Sequence, residues 1–264
     1  MSVSQMQGMV IENVQKNSGW YEMEISIPSF APCARPGQFV HIKTGAGSDP
    51  LLRRPFSICD FDKDAGRLFL MYKLVGSGTK WLSSVASGSY IDIVGPLGKG
   101  FTCPDPGARV ILVGGGIGIA PLLYLARRLT ERNCRLRIFY GVEEYHQLSA
   151  LNKFERLGVN IDVATHDGSA GFKGLVTDLF EQKIVSEKAD VIYTCGPEIM
   201  MAKVAAVAAQ YQIPGELSLE EYMACGVGAC LGCARKLKAE DDNFVKICKD
   251  GPVFSFSQMK FDLN

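Results

Sequence analysis

No long hydrophobic run interrupts this sequence. Its apolar stretches, such as Val110–Val113, are strand-length and exclude a membrane-spanning helix. The start, MSVSQMQGMVIENVQ, lacks a basic segment followed by an apolar one, so no signal peptide is expected. Neither sign of charge is in excess. The 28 basic residues balance 28 acidic ones and leave no electrostatic footprint for nucleic acid. Internal repeats and low-complexity tracts are absent. Histidine is scarce: His41, His146 and His166 have no clustered ligand partners and read as structural or surface residues. What is present suits a folded protein. Hydrophobic residues make up 47% of the 264, which is against disorder, and the length accommodates two domains.

Cysteine is plentiful. The nine cysteines are an odd number without a secretory context, which points to a reducing cytoplasm and to metal or redox work. Three fall within 220-EEYMACGVGACLGCARK-236.

The chain divides into three zones. Residues 1–103 are β-rich, with the short runs 23-MEISI-27, 38-QFVHIK-43, 68-LFLMYK-73 and 90-YIDIVG-95 set between turn residues. That spacing predicts a small antiparallel barrel. PDPG at 104–107 marks a boundary. In residues 104–215, apolar runs alternate with helical patterns: 109-RVILVG-114, 120-APLLYLARRLTE-131, 135-RLRIFYG-141, 159-VNIDVAT-165, a helix near 174–187, 190-DVIYTCG-196 and a helix near 198–211. This alternation predicts a parallel-sheet α/β domain. The third zone, 216–264, carries the cysteine cluster.

Two strand-to-helix turns stand out. In 114-GGGIGIAPL-122 the glycines permit a tight turn and a close backbone approach, and amides at the helix start favour a phosphate. The run departs from G-x-G-x-x-G, and a plain tight connection is the competing reading. In 195-CGPEIMM-201, Pro197 suits a first helical position. Both turns fall at the C-terminal edge of the sheet, where open α/β sheets bind ligands. Cys195 reads equally as a small buried residue. In the barrel zone, 53-RRPFSICD-60 reads as a basic turn whose arginines suit a diphosphate and whose serine suits a ring nitrogen. The stretch 76-GSGTKWL-82 reads as a loop opening a short helix. Surface arginines and an ordinary helix cap are the competing readings of these two.

The cysteines are spaced Cys225-x4-Cys230-x2-Cys233, with Cys248 further on. This is the plant-type [2Fe–2S] spacing. Gly226, Gly228, Ala229 and Gly232 lack bulk, so amides can approach the sulfides. Structural zinc is the rival, but it favours paired short spacings, and only Cys230 and Cys233 form such a pair. Cys33, Cys59, Cys103 and Cys134 are scattered and read as packing residues.

R-P-F-S in a barrel, G-T at a helix start, GGGIGIAPL and CGP resemble the ferredoxin-reductase family, in family order, over about residues 7–215. The resemblance implies an FAD-binding barrel followed by a nicotinamide-binding α/β domain. It implies that Arg54, Pro55, Phe56 and Ser57 hold FAD, with Ser57 near the ring. Met71, Tyr72 and Lys73 would line it, and Gly78 and Thr79 would bind its diphosphate. Gly115, Gly116, Gly118 and Pro121, with Cys195, Gly196 and Pro197, would border the nucleotide. Ser57 and Cys195 are the implied catalytic residues. Phe56 departs from the tyrosine of many relatives, and the chain runs on into the cysteine zone where many relatives end on an aromatic.

With that zone included, 219-LEEYMACGVGACLGC-233 and 247-ICKDGPVF-254 resemble the electron-transfer subunits of class 1B dihydroorotate dehydrogenases. This implies FAD, a [2Fe–2S] cluster and NAD as cofactors, in pyrimidine biosynthesis. It also implies an FMN-containing catalytic dihydroorotate dehydrogenase subunit as partner, in a heterotetramer of two of each. A chain of this length has no room for a second flavin domain of about 250 residues. A ferredoxin, hydrogenase or sulfur-reducing partner is the alternative. Glu143 or Glu144, after the second strand of the α/β domain, is a candidate for favouring NAD over NADP by contact with the ribose; a solvated helix start is the competing reading.

Overall fold

In a computed structural model, residues 3–17, 19–30, 34–45, 47, 50–148, 150–237, 244–259 and 261 are described; Cys33 lies outside them. Six antiparallel strands open the chain: β1 (Ser4–Asn17), β2 (Trp20–Ser26), β3 (Phe39–Ile42), β4 (Arg54–Asp62), β5 (Arg67–Lys73) and β6 (Tyr90–Leu97). A short helix, α1 (Ser77–Ser83), precedes the last of them. They close into a barrel in the order β1-β2-β5-β4-β3-β6. Alternation explains the closure. Met23 and Ile25, Phe56 and Ile58, Leu68 and Leu70, and Ile91 and Ile93 each point one of every two residues into a common core.

The segment expected as a basic turn at 53–60 is instead a strand. β4 is hydrogen-bonded to β3 on one side and β5 on the other, and burial of Phe56, Ile58 and Phe61 holds it extended.

The second unit runs β7 (Arg109–Gly115), α2 (Ile119–Thr130), β8 (Arg135–Val142), α3 (Leu151–Glu155), β9 (Asn160–Thr165), β10 (Phe172–Lys173), α4 (Val176–Ile184), β11 (Val191–Cys195), α5 (Glu198–Gln210) and β12 (Gly215–Ser218). These strands are parallel. β7 shows why: Val110 and Leu112 pack toward α2, while Ile111 and Val113 pack toward α4 and α5, so both faces are covered.

Beyond β12 come a small ribbon of β13 (Ala234–Arg235) and β14 (Val245–Lys246), then α6 (Ile247–Asp250) and β15 (Val253–Ser255). β15 returns to the large sheet. It pairs antiparallel with β12, and the seven-stranded order is β10-β9-β8-β7-β11-β12-β15.

Helix α2 fastens the barrel to the sheet. The Tyr124 hydroxyl donates to the Ala34 carbonyl at 2.8 Å, and Arg127 donates to both oxygens of Asp60 (2.9 and 3.1 Å) and to the Phe61 carbonyl. Lys153 reaches Glu22 of β2 at 3.0 Å.

Candidate functional site

The two glycine turns, after β7 and after β11, are packed directly against each other. A Cβ on Gly118 would lie 2.6 Å from the Cys195 carbonyl oxygen and from the Gly196 nitrogen and Cα. One on Gly115 would lie 2.5 Å from Met200 Sδ and 2.9 Å from Pro197 Cδ. Gly116 is different: nothing lies within 4 Å of its Cβ position, and its φ of +54° is what requires glycine. These turns wall a cleft of about 910 Å³. The first turn of α2 carries no acidic residue, so the positive end of the helix is uncompensated and faces an anion favourably. In α5 the first turn holds Glu198, which is paired with Arg235. Of the expected residues, Gly115, Gly116, Gly118, Gly196 and Pro197 line the cleft. Pro121 is buried in the first turn of α2 and does not. Cys195 is buried behind Gly196, and burial pushes its thiol well above the ordinary range, so it stays a neutral thiol.

Glu143 lines the cleft at the end of β8, and Glu144 does not. Two residues that the sequence did not single out also face the cleft. Trp20 comes from the barrel beside Lys73, with its buried indole Nε1 unpartnered. Glu220 follows β12; its side chain is open to the cleft but otherwise surrounded by protein, and this desolvation raises its carboxyl pKa.

The flavin strip expected in the barrel divides by the direction of its side chains. Arg54 and Gly78 lie side by side: a Cβ on Gly78 would be 3.2 Å from Arg54 Nε and 2.9 Å from Thr44 Oγ1. That Thr44 hydroxyl is buried and has no partner, and nothing in the sequence marked it. A glycine without side-chain bulk, packed beside a guanidinium and a free buried hydroxyl, fits a dinucleotide's diphosphate. Ser57 is half-buried on β4. Phe56 and Tyr72 turn into the barrel core, edge to face at 5.8 Å, and the Tyr72 hydroxyl donates to Asn13. Met71 is buried on the opposite face of β5, among Trp20, Cys59 and residues of α2. The Thr79 hydroxyl accepts from the amides of Val75 (2.9 Å) and Gly76 (3.1 Å), so it shapes its own loop.

The cysteine loop holds its thiols as two pairs. Cys225 Sγ and Cys230 Sγ are 3.3 Å apart, and Cys233 Sγ accepts from the Cys248 amide at 3.5 Å. Further amides point at sulfur: Cys230 N to Cys225 Sγ and Gly232 N to Cys230 Sγ, each at 3.4 Å. Gly226 and Gly228 turn the loop at φ +69° and +79°. Burial works to raise the Cys225 thiol, but the amides of Cys230 and Val227 outweigh it and lower its pKa. Burial raises that of Cys248. Among the described residues, no three cysteine, histidine or acidic side chains converge on one ion position. The pairing of Cys225 with Cys230 and of Cys233 with Cys248 fits a two-iron centre, in which each iron takes two thiolates besides the bridging sulfides.

Comparison with known proteins agrees with this geometry. Residues 220–260 match the iron–sulfur cluster binding domain of dihydroorotate dehydrogenase B, and residues 112–206 match the oxidoreductase NAD-binding domain. The chain is 41% identical over 243 residues to the electron transfer subunit of dihydroorotate dehydrogenase B (NAD(+)) from Desulforamulus reducens, covering 92% of this chain and 93% of the relative. It is 38% identical over 259 residues to that of Fusobacterium nucleatum, covering 96% and 97%. Among solved structures, an NADH-dependent reduced ferredoxin-NADP oxidoreductase superposes with a TM-score of 0.86 at 31% identity, covering 97% of this chain and 90% of that one. A barrel, a nucleotide cleft and a four-cysteine loop, matched end to end by these relatives, place the chain in the family of electron transfer subunits of NAD(+)-dependent dihydroorotate dehydrogenase B.

Proposed function

We propose that this chain works with an FMN-containing catalytic subunit, as two copies of each, to carry electrons from dihydroorotate to NAD(+). A flavin exchanges electrons both in pairs and singly, so FAD between a two-iron cluster and NAD supplies the link between one-electron and hydride chemistry. The chain's own residues bind and orient. Arg54 and Thr44, packed beside the side-chain-free Gly78, hold the flavin diphosphate. Gly116 and the start of α2 hold the nucleotide. Glu143, at the end of β8, meets the ribose and favours NAD over NADP. Ser57 borders the flavin ring, and the neutral Cys195 thiol, buried behind Gly196, backs the floor of the nucleotide cleft.

The observation that carries this reading is the paired arrangement Cys225/Cys230 and Cys233/Cys248 in the same chain as the nucleotide cleft. The cluster loop also exposes apolar side chains: Tyr222 is 93% exposed and Leu231 73%. An exposed apolar rim beside the cysteines suits docking of the catalytic subunit. No helix among the described residues is long and apolar enough to cross a membrane. The eight cysteines among the described residues are free of disulfides, which suits the cytoplasm.

The test is to assay the chain alone and with a dihydroorotate dehydrogenase catalytic subunit. Alone, it is expected to carry flavin with two irons and two sulfides and to oxidise NADH with ferricyanide, but not to oxidise dihydroorotate. Dihydroorotate-dependent NAD(+) reduction is expected only with both subunits. Dihydroorotate oxidation by the isolated chain, or zinc without sulfide, would refute the proposal.

A further inference from the structure

His41 sits on β3 at 0% exposure, and neither of its ring nitrogens has a hydrogen-bond partner. No other residue among those described contributes two unpartnered buried polar atoms. A ring kept only to fill space would do better without nitrogens, because each buried and unpaired one costs free energy that an apolar ring of the same shape avoids. The surroundings give the ring another task. On the barrel side, His41 is opposite Pro55 of β4, one residue along from Arg54, and the backbone of Arg53 is close enough to influence its ionisation. On the other side lies the cysteine loop. A Cβ on Gly226 would be 2.5 Å from His41 Nδ1 and 3.1 Å from Cε1, so the imidazole rests against the loop backbone next to Cys225. The Cys225 backbone is its second polar neighbour. Gly226 adopts φ +69° at this contact, so the turn that presents Cys225 is formed against the ring. Both backbones lie near the ring without meeting hydrogen-bond geometry, so neither nitrogen is satisfied in this arrangement.

We propose that His41 is a positioning residue for the iron–sulfur cluster: wedged between the flavin-binding strand β4 and Gly226, it fixes the Cys225 turn against the barrel and thereby sets the spacing of the two redox sites. The proposal rests on the reading of residues 225–248 as a two-iron site. His41 touches the loop that carries a ligand and is not itself a ligand.

The test uses the full chain, purified anaerobically with both cofactors. His41→Phe keeps the ring and removes both nitrogens, and His41→Asn restores a polar group near the position of Nδ1. Three quantities are measured: the EPR spectrum of the reduced cluster, its midpoint potential, and the rate at which an iron chelator bleaches its visible absorption. His41→Phe is expected to shift or broaden the EPR signal, displace the potential and speed bleaching several-fold. His41→Asn is expected to return all three toward wild type. A His41→Phe chain identical to wild type in spectrum, potential and bleaching would reduce His41 to a space filler and overturn the proposal. Should His41→Phe fail to fold, His41→Ala is judged by the same criterion. A wild-type chain without a two-iron EPR signal would overturn the cluster reading itself, whereas a wild-type signal unchanged in the variants overturns only the role of His41.

Discussion

Replacing Gly118 with alanine should damage the nucleotide cleft through one added methyl group. The backbone at Gly118 is ordinary for any residue, with φ −61°. On conformational grounds alone, the substitution would stabilise the chain by about 0.4–1 kcal/mol, because the unfolded state loses freedom. Space decides otherwise. The new Cβ would stand 2.6 Å from the Cys195 carbonyl oxygen and the Gly196 backbone, where ordinary contact begins at 3.4 Å, so the two turns must part by 0.8 Å. The obstructing atoms are backbone and cannot swing away as a side chain would. Overpacking of this kind costs about 1–3 kcal/mol, which outweighs the entropic gain. Because both turns wall the cleft, a displacement approaching 1 Å is expected to lower kcat/KM for NADH by roughly 10²-fold. NADH–ferricyanide kinetics and thermal unfolding of Gly118→Ala measure the two effects. Gly116→Ala is the informative comparison. It meets no atom within 4 Å but would hold alanine at φ +54°, a strain of about 1–2 kcal/mol without the collision. Wild-type kinetics and an unchanged or raised melting temperature in Gly118→Ala would refute the packing argument.

Cys225→Ser removes one member of the first thiol pair, and iron and sulfide are expected to fall below two per chain while flavin is retained; metal and flavin analysis of one sample checks this. Glu220 lies in the cleft with a raised carboxyl pKa. Above that pKa its negative charge favours the cationic oxidised nicotinamide, and the preference fades as pH falls and the carboxyl takes up a proton. The dissociation constant for NAD(+) should therefore rise toward acid in the wild type and stay nearly flat in Glu220→Gln; titrations across the pH range would show a matching slope in both if Glu220 had no such role. The Asp60–Arg127 pair joins barrel to sheet, and a double-mutant cycle with alanine should give a coupling of about 1 kcal/mol in thermal or urea unfolding.

The sequence was most informative where periodicity and glycine placement have a single physical solution. Short apolar runs such as Val110–Val113, ended by a glycine cluster and rich in β-branched residues, read as strands buried on both faces, and the helices between them follow. The cysteine spacing likewise corresponds to two thiol pairs in the folded chain. Long-range partners were not legible. β1 reads as a mixed polar segment and is held extended by β2 and β6 on either side. The stretch after Arg53 looked like a turn because arginine and proline dominate its start, yet two flanking strands make it a strand. The barrel side chains could not be assigned a direction from the sequence, so Tyr72, which turns inward, and Met71, which turns outward, seemed equivalent. Thr44, His41 and Glu220 carry no motif. Each gains its character only from what folding sets beside it: Gly78, Gly226 and the cleft.

The antiparallel pairing of β15 with β12 bears on the order of assembly. The cysteine loop leaves the sheet at Ser218 and rejoins it at Val253, and these two residues are register partners. The loop is therefore closed at its base by a strand that the ribosome makes after all four cysteines. During synthesis the thiols emerge tethered at one end only, and their spacing is set once β15 has found β12. A chain truncated before Val253 would hold the cysteine loop at one end only, and is expected to retain less iron and sulfide than the full chain when both are quantified side by side.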